Sequence, residues 1–131
     1  MRYASDDAVA LWLAEEGIVP GEAVALVAPA RLRPDVMAEL YRRMRRGELT
    51  RAAAYELHDR VTELKIRVLG DRVTRRVAFQ VAEAAGLAEI GRCEYVAVAR
   101  QQADALVTDD AGLRAVAEGV VPLADREALR G

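Results

Sequence analysis

The feature that most restricts the fold is a run of three apolar residues that ends abruptly. Ala105, Leu106 and Val107 are followed at once by Thr108, Asp109 and Asp110. Three residues are too few for a helix, and an unbroken apolar run with polar borders reads as a strand buried on both faces. Just before it, the stretch from Gly91 to Gln102 places Tyr95, Val96, Val98 and Ala99 on an apolar helix face. Helix, buried strand and acidic stop are the sequence of a parallel α/β sheet, whose loops open a crevice beyond the carboxyl ends of the strands. A site is therefore expected beside Asp110, shared with whichever other strands end on that edge.

The other segments supply strands and helices in alternation. Arg2 to Ala4 reads as a short strand, with Ser5, Asp6 and Asp7 opening a helix that ends at Gly17. Pro20, Gly21 and Pro29 bracket the apolar run from Ala23, a buried strand between turns. A helix beginning near Pro34 carries Val36, Leu40 and Met44 every four residues and stops at Gly47. Thr50 caps the next, on which Ala53, Leu57, Val61 and Leu64 share a stripe. Lys65 to Leu69 alternates as a strand. Asp71 then caps a helix with Val73, Val77, Val81 and Ala84 inward, closed by Gly86. After Val107, a short helix from Asp110 to about Ala117 leads to a last strand, Gly119 to Leu123, with Pro122 marking it as an edge. The pattern predicts one domain, a three-layer α/β/α sandwich with a central, mainly parallel sheet. The helical pair between residues 34 and 64 is expected to protrude as a hairpin on one side.

Composition excludes several classes of protein. A chain of 131 residues that is 53% hydrophobic but only 5% aromatic builds thin helices on a Val/Leu sheet. The net charge of −2 argues against a protein that coats nucleic acid, although all but one of the 19 basic residues are arginine and several are clustered. The single cysteine, Cys93, rules out an internal disulfide. Neither a signal-peptide pattern nor an apolar run of membrane-spanning length occurs, so a cytoplasmic protein without membrane contact is expected. No glycine-rich phosphate loop and no G-x-S-x-G elbow is present.

The order and spacing of the short motifs resemble the PIN-domain family, specifically its VapC toxin branch, nearly end to end. APARLRPDVMAEL matches the opening of the family's second long helix and places Asp35 on its acidic position. RCEYVAVA matches the family's "D-A-x-Y-x-A-L-A" helix, and Leu106, Val107, Thr108, Asp110 and Leu113 match "L-V-T-x-D-x-x-L". The resemblance implies a PIN-like fold and a Mg²⁺- or Mn²⁺-dependent endoribonuclease, held silent by an antitoxin-like protein partner and present as a homodimer. About four carboxylates gather at the strand ends in this family. A hard divalent cation demands such oxygen ligands, and when bound it activates water and neutralises phosphoryl oxygens.

On these positions the sequence keeps Asp35 and Asp110 as catalytic and metal-ligating residues and departs from the family at two others. The first acid aligns with Ala4 or Ser5, with Asp6 and Asp7 as substitutes; the third aligns with Arg92. An arginine roughly 5 Å from a divalent ion, at an effective dielectric of about 20, is repelled by about 6 to 7 kcal/mol. Arg92 is therefore expected to act as a built-in counter-ion, donating to Asp35 and Asp110. Glu94, on the same helix, is a carboxylate in a shifted position. The alternative is a non-catalytic relative that serves as an RNA-binding or protein-interaction module.

Each of these residues also has a plain structural use. Asp110, Asp6 and Asp7 suit helix caps and first turns, and Asp35 suits a helix dipole. Arg42, Arg43, Arg45 and Arg46 either complement a helix carboxyl end or track RNA phosphates. Cys93 suits a buried structural position, His58 a surface or boundary position, and Trp12 the core or a dimer surface.

Overall fold

The computed structural model describes residues 1–131. Strands β1 (Arg2–Ser5), β2 (Ala25–Ala28), β3 (Ile66–Val68), β4 (Ala105–Val107) and β5 (Leu123–Ala124) form one sheet, all parallel, in the order β3-β2-β1-β4-β5. The helices are α1 (Asp7–Glu16), α2 (Leu32–Arg45), α3 (Arg51–Glu63), α4 (Arg72–Ala84), α5 (Cys93–Gln102) and α6 (Ala111–Ala117), followed by a 3₁₀ turn at Arg126–Arg130.

The layering follows from strand alternation. Tyr3, Leu26, Ala105 and Val107 point to one face, where they meet Val9 and Leu13 of α1 together with Ile18 and Leu129. Ala4, Val27 and Leu106 point to the other, where α5 lies across β1, β2 and β4 with α4 and α6 outside it. Tyr95, Val96, Ala97, Val98 and Ala99 are all buried, as required of a helix held between a sheet and further helices. This is the three-layer α/β/α sandwich expected from the alternation of elements.

Four details differ from the sequence reading. The last strand is Leu123–Ala124, and residues 118–121 form the turn before it; Pro122 only accepts, through its carbonyl, from Leu106 N. Helix α2 begins at Leu32, so Pro34 sits within its first turn. The inward face of α4 is Thr74, Val77, Ala78, Val81 and Ala82, while Val73 and Ala84 are exposed. A stripe of valines marked the correct helix but placed its face a fraction of a turn off, because the small Ala78 and Ala82 are what let α4 close on α5. Finally, the α2–α3 pair does not stand clear of the domain: both helices pack on α1, and Leu32, Val36, Leu40, Ala54 and Val61 join the main core.

Candidate functional site

The strand order places a reversal between β1 and β4. The chain leaves β1 through α1 toward β2 and β3, and leaves β4 through α6 toward β5. Loops that part in opposite directions leave a crevice beyond the two strand ends. Asp6 and Asp7 follow β1 there, and Thr108 and Asp110 follow β4.

Asp6 ties the two strand ends together. Its Oδ1 accepts from Val9 N at 2.9 Å as the cap of α1, and its Oδ2 accepts from Thr108 Oγ1 at 2.5 Å. Asp6 is fully buried. Burial pushes its carboxyl above the ordinary carboxylate range, outweighing the hydrogen bonds from Thr108 and Val9. Asp110 caps α6 through Leu113 N at 3.0 Å, and Arg114 braces the same loop by donating to Thr108 O at 2.8 Å.

Arg92 lies in the middle of these acids. Its Nη2 is 2.6 Å from Asp7 Oδ1 and 3.3 Å from Asp6 Oδ2, and its Nη1 is 3.7 Å from Asp110 Oδ2. Of the two expected partners of Arg92, Asp110 is an ion-pair partner at 3.7 Å, whereas Asp35 is not a partner, and the closest contacts are to Asp6 and Asp7. Asp35 has a cation of its own, because Arg31, at the N-cap of α2 and four residues earlier, bonds it through Nε at 2.7 Å and Nη2 at 3.3 Å. Tyr95 stands between the two halves of the cluster. Its hydroxyl donates to Asp35 Oδ2 at 2.7 Å, and the Arg31 and Arg92 guanidiniums lie 5.7 and 5.1 Å from its ring centroid. Burial and the bond to Asp35 push the Tyr95 hydroxyl above its ordinary range, so it stays a donor. Arg31 also donates to Gly91 O, tying α2 to the residue before Arg92. Gly91 has φ +50°, a left-handed conformation that favours glycine.

The crevice thus gathers Asp6, Asp7, Asp35 and Asp110, but around two guanidiniums rather than around a cation-sized gap. No three carboxylate, imidazole or thiolate groups converge as ligands for one metal ion. The residues present do not fit a divalent cation while Arg92 holds this position. Glu94 makes no ion pair and acts only through its charge near Arg31. Arg31, Tyr95 and Thr108 are members of the cluster that sequence reasoning missed. The i,i+4 spacing of Arg31 and Asp35 was the available signal for the first, whereas no local spacing joins Thr108 to Asp6.

The arginine run is largely occupied elsewhere. Arg42 pairs with Glu39, Arg43 with Glu15 and Glu39, and Arg46 with Glu48 and Glu39. Burial alone would raise the Glu39 carboxyl, but its bonds to Arg42 and Arg43 hold it below the usual range. Only Arg45 of the four has no acidic partner. Cys93 is buried, and that burial raises its thiol against the opposing charge of Arg31. Trp12 is half-buried under Arg126 and Arg130, which lie 4.7 and 5.5 Å from its ring centroid.

No family model and no curated protein matches the chain. Among solved structures it is similar to the crystal structure of PAE2754 from Pyrobaculum aerophilum, with a TM-score of 0.71 and 24% identity over 99% of this chain and 96% of that one. A likeness at that identity speaks for the fold. No helix is long and apolar enough to cross a membrane.

Proposed function

We propose that this chain is a non-catalytic relative of the PIN-domain ribonucleases, of the VapC-like branch, that acts as a protein-interaction module. The observation that carries this reading is the seat of Arg92 between Asp6, Asp7 and Asp110. In the parent chemistry, a divalent cation neutralises the clustered acids and polarises the phosphodiester. Here a guanidinium is the cation among them; it offsets only part of their charge and, offering N–H donors alone, cannot coordinate and activate a water. Asp6 stands in for the first acid while Arg92 replaces the third, so three of the four acidic positions, Asp6, Asp35 and Asp110, remain.

Two further features favour protein over RNA as the partner. Arg42, Arg43 and Arg46 are paired with carboxylates, so little of the basic run is free to displace phosphate counterions. The outer face of α2 and α3 instead exposes Met37, Tyr41 and Tyr55 around Met44 and His58, an apolar surface suited to an antitoxin-like chain or a second copy. The deciding experiment is RNA cleavage with Mg²⁺ or Mn²⁺. The wild type should cut no faster than Asp110→Asn, and metal-dependent cleavage abolished by that substitution would restore the nuclease reading.

A further inference from the structure

Helices α2 and α3 form an antiparallel hairpin, joined by residues 46–50, with a groove of about 250 Å³ between their outer faces. Met37, Leu40, Met44 and Ala54 line it, with Tyr41 and Tyr55 among its walls. Met37 and Tyr41 are each 58% exposed and Tyr55 66%, so large side chains of both helices face solvent around one furrow.

The cations at the two ends of this groove have no use inside the molecule. Arg31, Arg42, Arg43, Arg46 and Arg60 of the hairpin each hold a carboxylate. Arg33 and Arg51 are exposed and hold none. Both sit in the first turn of a helix, where the positive end of the helix dipole disfavours a cation. Arg45, also unpaired, lies in the last turn of α2, where a cation is favoured. Arg33 precedes Met37 by four residues, and Arg51 precedes Ala54 and Tyr55 by three and four, so each extends a lining row past its end. The remaining acids of α3, Asp59 and Glu63, do not line the groove. Folding accounts for neither arginine, whereas a partner that brings a carboxylate to each end accounts for both.

The length of the groove sets the partner's form. Arg33 and Met44 are eleven residues apart, about 16 Å of helical rise, and the hairpin returns Arg51 to the Met44 end. An extended peptide finds no strand edge there for its N–H and C=O groups, whereas a helix satisfies its own and lays a ridge of side chains between α2 and α3. Three helical turns span the same length, so two carboxylates eleven residues apart, with apolar residues four and seven positions after the first, meet both arginines and the apolar floor. A second copy docking by the same face would set arginine against arginine.

We propose that the α2–α3 groove receives a three-turn amphipathic helix of an acidic partner chain, its apolar stripe on Met37, Met44 and Ala54 and a carboxylate on each of Arg33 and Arg51. The proposal rests on the protein-interaction reading above and gives that partner its chemistry. Methionine-methyl NMR tests it, because Met37 and Met44 line the groove while the third methionine, Met1, precedes β1 and serves as the internal control. The probe is the acetylated, amidated peptide EAQALQALAQAEA, and its counterpart KAQALQALAQAKA differs only in the two charges. The acidic peptide should shift Met37 and Met44 saturably and leave Met1 unmoved, and the basic one should bind at least tenfold more weakly. The double variant Arg33→Glu, Arg51→Glu should invert that preference, and it keeps its fold because acids suit both first turns. Tyr41→Asp, on the exposed wall, should weaken the acidic peptide severalfold. No saturable shift of Met37 and Met44, equal binding of the two peptides, or a preference unmoved by the charge exchange would overturn the proposal. So would Met37 and Met44 signals that move with protein concentration alone, which would give the face to a second copy, or tighter binding of oligouridylate, which would give it to nucleic acid. The same protein is assayed for RNA cleavage with Mg²⁺. Cleavage alongside intact peptide binding would overturn the non-catalytic reading and leave the groove; an inactive protein that ignores the peptide would overturn the groove alone.

Discussion

At the residue scale, Arg92 carries the largest energetic consequence. Removing it leaves Asp6 and Asp7, both buried, without their cation. Breaking a buried pair from one side typically costs 3–5 kcal/mol, and the partial exposure of the guanidinium places Arg92→Ala at the low end, about 3 kcal/mol. Urea unfolding measures it, and a loss below about 1 kcal/mol would mean that water serves the acids as well as Arg92 does. Asp6 has a pH signature. Its folded carboxyl titrates above its unfolded value, so the native state holds the proton more tightly and Asp6 favours folding at low pH. That contribution is lost as pH rises through the folded value. Asp6→Asn keeps the cap and cannot ionise, so its stability relative to wild type should improve from pH 4 to pH 7. A difference that is flat or falls with pH would contradict the burial of the carboxylate. The sequence made the acids legible one by one but not their partners. Arg31 and Asp35 meet by helical spacing, whereas Arg92 meets Asp6 and Asp7 across most of the chain, through a sheet topology that no local pattern encodes.

At the element scale, the helices announced themselves through caps and apolar stripes. Thr50, Asp71 and Asp110 each accept from the backbone three residues on, as their positions in the sequence suggested. The 3₁₀ turn at Arg126–Arg130 was not legible, because five residues show no period and Asp125 at its N-cap makes no side-chain cap bond. It is held by tertiary contact: Leu129 is fully buried against the face of the sheet that α1 covers, and Leu129 O accepts from Gly21 N at 2.9 Å. A Cβ on Gly21 would stand 2.6 Å from Gly131 Cα and 2.9 Å from Arg130 O, both backbone atoms. Gly21→Ala should therefore dislodge the turn and uncover Trp12, giving a changed Trp12 fluorescence and faster proteolysis after residue 125. Leu129→Ala should cost about 2–5 kcal/mol by leaving a cavity at the same place. Full protection of the turn in the Gly21 variant would show that it is held by something other than this close approach.

At the scale of the whole molecule, one α/β/α sandwich brings acids from β1, α2 and β4 to the reversal of the sheet, and one residue before α5 decides what those acids can do. The fold was readable because two short, wholly apolar strands, Ala25–Ala28 and Ala105–Val107, set among helices admit few arrangements other than a parallel sheet with both faces covered. A counter-ion at Arg92 was readable from its place in the sequence, but which carboxylates it reaches was not. Titration of Mg²⁺ by calorimetry, run on the wild type, Arg92→Asp and Asp110→Asn, tests this most directly. The wild type should show no saturable binding at millimolar Mg²⁺, and Arg92→Asp should gain it by replacing the guanidinium with a ligand. Saturable binding by the wild type that disappears in Asp110→Asn, or a folded Arg92→Asp protein that still ignores the metal, would contradict the claim that Arg92 occupies the cation's place.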